Sequence, residues 1–369
     1  MMRILFVEDY PPLARYGAGL PRARAVLEAL LANGHIVSLY PVFGLRGLSR
    51  GQTKEALPPG VDLLEPQGPQ GLLQHLASQA ASYDLLWICR KHHMASAVAL
   101  RDQGRVLPPI VYDTEALEFQ RDLRARHLRG EVIPPDLVAQ FTQFESRLAG
   151  YARAVVTVCT EEQRFYAAHC DVPALSVATA IQLGEAVPGP GGREGVLFIG
   201  AMNADSEPNV DALRYFLTEV WPRLRRLRPI SLTIAGYGTE RSPTLRSLTG
   251  PGIQVLGPVA DLAPLYARAR LFIAPTRFAA GIPLKVIEAA AHGLPSVVTP
   301  LLASQLAWAP ESEVLVGSNP ASFAEACDCL ADDDALWTRL SEAARARVAR
   351  QFSRAGLQQA VQEVLAAVS

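Results

Sequence analysis

The chain has 369 residues, 49% hydrophobic and 19% charged, with a formal net charge of −1. That length suits two domains of ordinary size, and the apolar share excludes a disordered chain. The near-zero charge gives no argument for nucleic acid as a partner, and no apolar run reaches the length of a membrane span. The five cysteines, Cys89, Cys159, Cys170, Cys327 and Cys329, lack zinc-site spacing and read as reduced thiols of a cytosolic protein. The chain opens directly into a strand, so no signal peptide is expected.

In chain order, Arg3–Glu8 reads as a strand, followed by a loop with Pro11, Pro12, Gly17 and Gly19. A helix from Arg22 to Asn33 and a strand from Ile36 to Pro41 complete a βαβ opening. A glycine loop at a strand's carboxyl end is where open α/β sheets bind ligands; the alternative is a plain turn. Residues 42–82 are expected to hold a loop and one helix near Leu72–Ser82. Asp84–Cys89 is a buried strand that delivers Arg90, Lys91, His92 and His93. Adjacent histidines on one element are expected to point apart and to make poor metal ligands. Pro109–Asp113 is the next strand. Asp113 reads equally as a helix cap or as a carboxylate at a strand end. Arg121, Arg124, Arg126 and Arg129 with His127 form a basic helix, either a solvated face or a surface for an anionic acceptor or membrane. Ala154–Cys159 is a strand, and the Pro/Gly cluster at 188–192 is the best linker candidate.

A second α/β pattern starts at Val196. Strands over 196–200, 232–235, 253–256 and 271–274 each run into a glycine or polar loop: Gly200 and Asn203, Gly236 and Gly238, Pro258 and Val259, Pro275 and Arg277. This repetition is that of a doubly wound sheet. Gly281, Ile282 and Pro283 then open an alanine-rich helix to His292, ended by Gly293 and Pro295. Lys285 lies in its first turn, where the helix dipole disfavours a cation unless an anion is near. Glu288 is on the same side. Two readings stay open, a surface Lys–Glu pair and a phosphate grip. Lys54, Lys91 and Lys285 are the only lysines, which favours a need for a compact ammonium at this place. Asp332-Asp333-Asp334 starts a helix, where acids suit the dipole, and carries no metal expectation. No metal is expected elsewhere, because no spaced cluster of ligating residues is evident at a strand end.

Gly281, Glu288, Ala289, Gly293, Pro295, Val297 and Thr299 together resemble the donor-site signature of retaining family-4 glycosyltransferases. The Gly-Ile-Pro-Leu-Lys variant resembles their bacterial exopolysaccharide and surface-glycan branch. The first glutamate of the signature is replaced by Ala280. The resemblance implies the GT-B fold, two Rossmann-like doubly wound α/β domains facing a cleft. It places an acceptor domain over 1–180, onto which the tail 352–369 packs back, and a donor domain over 181–351. It implies metal-independent, retaining transfer of a sugar from a nucleotide-diphosphate sugar to a glycan, lipid-linked or other acceptor. No cofactor is implied, and the setting is cytoplasmic, with peripheral contact at the inner face of the membrane.

By the same resemblance, Gly200, Asn203, Gly236, Gly238, Pro258, Val259, Gly281, Ile282 and Pro283 line the donor. Glu288 bonds the ribose and Lys285 meets the diphosphate. The family's usual diphosphate cations are absent, since Ala201-Met202 follows Gly200; Lys285 and Arg277 are the substitutes. Gly17, Gly19, Arg22 and Arg121 fall on the acceptor side, with Asp113 and Glu118 as catalytic carboxylates. Glu118 stands where the family has a histidine. Two other functions stay open on these departures, a non-catalytic GT-B protein and a nucleotide-sugar epimerase or hydrolase.

Overall fold

Seven short strands, nearly all apolar, build the first sheet of the computed structural model, which describes residues 1–13, 19–184, 189–202, 204 and 206–368. They are β1 (Arg3–Glu8), β2 (Ile36–Pro41), β3 (Val61–Leu63), β4 (Leu85–Cys89), β5 (Ile110–Asp113), β6 (Ala154–Thr157) and β7 (Ala174–Ser176). All pair in parallel, in the order β3-β2-β1-β4-β5-β6-β7. β1, β4, β5 and β6 are buried almost throughout, which explains why they read as continuous apolar runs rather than alternating ones. Helices cover the faces. Phe6 and Trp87 stack in the core at 6.2 Å between ring centroids.

The second sheet has β8 (Val196–Ile199), β9 (Leu232–Ala235), β10 (Ile253–Gly257), β11 (Leu271–Ala274), β12 (Ser296–Val298) and β13 (Leu315–Val316), in the order β10-β9-β8-β11-β12-β13. Its core joins Phe198, Phe216, Trp221, Phe323 and Trp337. Both orders reverse beside the first strand, at β1/β4 and at β8/β11. Such a switch point opens a crevice at the carboxyl ends of the strands.

The chain divides into two units. One is Met1–Phe119, Glu131–Ala180 and Phe352–Ser369; the other is Gln120–Gly130 and Ile181–Gln351. The final helix, Arg354–Val368, belongs to the first unit, where Leu357, Val361, Val364 and Leu365 join the core. No helix of the described residues is long and apolar enough to cross a membrane.

Some elements differ from expectation. Residues 42–82 hold more than one helix: a capped helix Arg50–Ala56, the strand β3, and a helix Gly68–Gln79. β3, β7 and β13 are two or three residues long, too short to show a period. The stretch between β8 and β9 is not one continuous helix: it is a helix Pro208–Tyr215, a π turn Phe216–Val220 and a helix Trp221–Leu227. Pro222 brings no N–H to the ladder; Trp221 N–H reaches back to the Phe216 carbonyl across the widened turn.

Candidate functional site

In the second unit, three glycine loops lie side by side at the strand ends. Gly200 N–H donates to the Ala235 carbonyl, Met202 N–H to Tyr237, and Gly236 N–H to Gly257. A Cβ on Gly236 would lie 2.2 Å from the Gly200 oxygen, and one on Gly238 2.1 Å from the Met202 oxygen. Their φ values are +139° and +81°. Only glycine permits both this backbone and this approach. The result is a shelf of main chain at the end of β8 and β9. Asn203 lies outside the described residues. Pro258 is exposed and Val259 half-buried beyond the end of β10.

The helix expected at the centre of the donor motif spans Leu284–Ala291, with Pro283 as its cap and Gly281 at φ +76° before it. Lys285 is in its first turn. Its ammonium donates to the Asn209 side chain, in the first turn of the helix Pro208–Tyr215, and lies 4.8 Å from the centroid of the Phe198 ring. The Asn209 amide in turn packs on Gly200, where a Cβ would come within 2.8 Å of its Cγ. No carboxylate pairs with Lys285 among the described residues. Burial pushes its pKa down to about 8. The surface Lys–Glu pair is therefore corrected: Glu288 turns away, accepts the Tyr266 hydroxyl at 3.4 Å, and is held above the usual carboxylate range by burial. Tyr266 stacks on His292 at 4.7 Å.

Arg277, expected as a spare diphosphate cation, holds Asp211 through one edge of its guanidinium, Nε and Nη2, and lies 4.9 Å over the Tyr215 ring. It lines a 340 Å³ pocket with Tyr215, Thr299 and Asn319 at the carboxyl ends of β11–β13. A larger cavity of 510 Å³, lined by Glu194, Val196, Ser231 and Arg268, opens at the amino ends of the strands. That is the edge opposite to where such sheets bind ligands.

In the first unit, the strand ends carry charge instead of glycine. Asp113 ends β5 fully buried. It accepts Arg22 Nη1 at 3.0 and 3.1 Å and the Trp87 indole N–H at 3.1 Å. Arg22, 3% exposed, also donates to the Val177 carbonyl at 2.7 Å and to Glu115 at 3.1 Å. Arg90 joins Glu115 at 3.4 Å to Glu8 at 2.7 Å and Asp9 at 3.2 Å. Asp113 and Arg22, expected at the acceptor side, are buried and bonded to each other inside the unit.

Burial, and then the nearby Glu8, push Glu115 up to about 8. Burial likewise raises Glu8. Arg22 is held above its usual range by Asp113 and Glu115, although burial opposes this. Arg90, at φ 71° and ψ 146°, and Glu115, at φ 62°, occupy backbone regions that L residues avoid. Such strain costs of order 1–3 kcal/mol and gathers at functional sites. Neither Glu8 nor Glu115 was singled out from sequence; only their places beside β1 and β5 carried a signal.

Glu118, at the start of the helix Glu118–Leu128, is half-exposed and pairs with Lys91 at 2.8 Å. Gly19 starts the helix Gly19–Ala32, and Gly17 lies outside the described residues. Arg121 is corrected as a group of the first domain. Residues 120–130 group with the second unit, where Arg124 donates to the Ala279 carbonyl at 2.9 Å.

The histidines differ from expectation too. His92 and His93 both direct Nε2 at Asp9 Oδ1, at 2.7 and 2.9 Å. The helix Lys91–Asp102 starts directly at the end of β4, and Asp9 follows the adjacent β1, so both rings reach one carboxylate. A cluster of metal-ligating types does lie at a strand end. Burial lowers His93; burial would raise Asp9, but the two imidazoles and Arg90 hold it well below its ordinary value.

Residues 193–333, in the second unit, match the family model described as glycosyl transferases group 1. No curated protein matches the chain. Among solved structures, the chain is similar to sucrose-phosphate synthase of Thermosynechococcus elongatus (TM-score 0.74, 15% identity, 99% of this chain and 98% of that one). It is similar to Anabaena HepE in complex with UDP-glucose (TM-score 0.70, 15% identity, 99% and 100%). It is also similar to WaaG, a glycosyltransferase involved in lipopolysaccharide biosynthesis (TM-score 0.66, 14% identity, 98% and 99%). The chain has the GT-B fold.

Proposed function

We propose that the chain is a retaining, metal-independent glycosyltransferase of the family-4 type. Its donor is a nucleotide-diphosphate sugar held by the second unit, and its acceptor is a glycan or a lipid-linked glycan of a surface-polysaccharide pathway. One observation carries the reading: the Lys285 ammonium, part-buried and, among the described residues, bonded to a neutral amide and set over an aromatic face with no carboxylate partner. A buried cation without a counter-ion is costly, and at a helix start it also opposes the dipole. A diphosphate removes both conflicts. As the sugar bond breaks, negative charge gathers on the leaving phosphate, and a preorganised ammonium stabilises it most in the transition state.

Glu288 accepts the ribose hydroxyls in charge-assisted hydrogen bonds, and the backbone shelf of Gly200, Gly236 and Gly238 admits the nucleotide closely. The UDP-glucose complex of HepE makes a UDP-sugar the first donor to test. On the acceptor side Glu118, which reaches solvent, stays a candidate where Asp113 does not. The protein acts on the cytoplasmic side, in peripheral contact with the membrane.

Isothermal titration with UDP and UDP-glucose on wild type, Glu288→Ala and Lys285→Met tests the donor site. Weaker nucleotide binding in Glu288→Ala supports it; equal affinities overturn it. NMR of the anomeric proton in the product reports retention, and an inverted product removes that part of the reading. Tight nucleotide binding with no transfer or hydrolysis would assign a binding role instead.

A further inference from the structure

The first unit carries a second constellation that the donor chemistry does not use. We propose that Asp9, His92 and His93 bind one divalent first-row transition-metal ion of the zinc type. The site is independent of the transferase reading.

Three potential ligand atoms converge at the β1/β4 switch point, all within 4.8 Å of one another. Ligands of a tetrahedral zinc at about 2.0–2.2 Å lie roughly 3.3 Å apart. The present separations of 2.7 and 2.9 Å from Asp9 Oδ1 need to open by about half an ångström to admit an ion at that spacing. Two imidazole nitrogens and one carboxylate suit zinc, cobalt or iron(II) and not magnesium or calcium, which take oxygen ligands.

The surroundings are arranged as such a site requires. Arg90 holds the other oxygen of Asp9 at 3.2 Å and is itself anchored on Glu8, so a second shell orients the carboxylate. The Phe43 ring lies 5.8 Å from both imidazoles and limits their rotation. His93 is 2% exposed and His92 45%, which gives a rigid ligand and an entry path. Among the described residues, Arg22 and Arg90 link Glu8, Asp9, Asp113 and Glu115 into one set around the carboxylate. Three protein ligands leave a coordination position open.

The test uses the full-length, tag-free protein, treated with EDTA and dialysed. Zinc is titrated by calorimetry, and cobalt by visible absorption, where d–d bands report nitrogen and oxygen ligation. The expected result is one ion per chain, with affinity lowered by on the order of 100-fold or more in His92→Ala and in Asp9→Asn, since losing even a supporting partner costs 10–100-fold. His92 is exposed, so its variant keeps the fold, and circular dichroism checks this. His169→Ala, at another exposed histidine, should bind as wild type does. The absence of saturable binding, or equal affinity in wild type, His92→Ala and Asp9→Asn, overturns the proposal and leaves a hydrogen-bonded Asp–His–His cluster.

Discussion

The two units share one architecture but finish their strands in opposite ways. In the first, the carboxyl ends of β1, β4 and β5 carry Glu8, Arg90, Asp113 and Glu115, which with Arg22 form a linked set of ion pairs. In the second, the ends of β8 and β9 carry glycine, and Lys285 stands near Gly200 with no carboxylate partner among the described residues. A doubly wound sheet leaves a crevice at this edge whatever occupies it. Where counter-charges on the chain fill the crevice, the edge is tied together internally. Where backbone and a cation without a described counter-charge line it, the edge is left open to an anionic ligand, as proposed above.

The comparison breaks most visibly at Arg22. Removing it with Arg22→Ala leaves Asp113 buried and unpaired, and destabilisation of about 3–5 kcal/mol is expected. Urea denaturation measures it; a change below about 1 kcal/mol, the surface-pair range, would show that the set is not held as described. Lys285→Met should behave in the opposite sense. It removes a cation that has no carboxylate partner among the described residues, so the melting temperature should hold or rise, by about 2–4 °C per kcal/mol, while turnover falls. A clear drop in melting temperature would mean that the ammonium serves the fold.

Glu288→Ala should weaken nucleotide binding by about 1.5–3 kcal/mol, the range for hydrogen bonds to charged groups, and titration calorimetry reads it directly. Lys285→Arg should restore only part of the turnover lost in Lys285→Met, because a planar guanidinium does not fit the place of a compact ammonium. The smallest effect concerns pH. Burial depresses Lys285 to about 8, so the free protein holds the ammonium below that pH and loses it above. Nucleotide affinity should be flat below about pH 8 and fall by up to about tenfold per unit above it. The sign for stability is the reverse. The unfolded chain keeps its lysine proton to about 10.4, so between 8 and that value the unfolded state binds more protons and this residue's contribution to stability rises with pH. A pH-independent affinity in wild type would remove Lys285 from the diphosphate.

The sequence by itself determined the α/β repeat, because buried parallel strands leave continuous apolar runs and their loops leave glycine. It also placed Lys285 in a first helical turn and Gly236 and Gly238 at a strand end, since local chemistry decides caps and positive φ. Strands of two or three residues, β3, β7 and β13, had no period to read. Nor could the sequence tell that Lys285 and Glu288, three residues apart, take different partners, Asn209 and Tyr266. Asp113 and Arg22, 91 positions apart, are plausible site residues until the fold buries them against each other. Asp9 and the two histidines, more than 80 positions apart, meet only because β1 and β4 are neighbours in the sheet. Local propensity acts over a few residues, whereas pairing of charges and convergence of ligands are set by strand order, and strand order exists only in the folded chain.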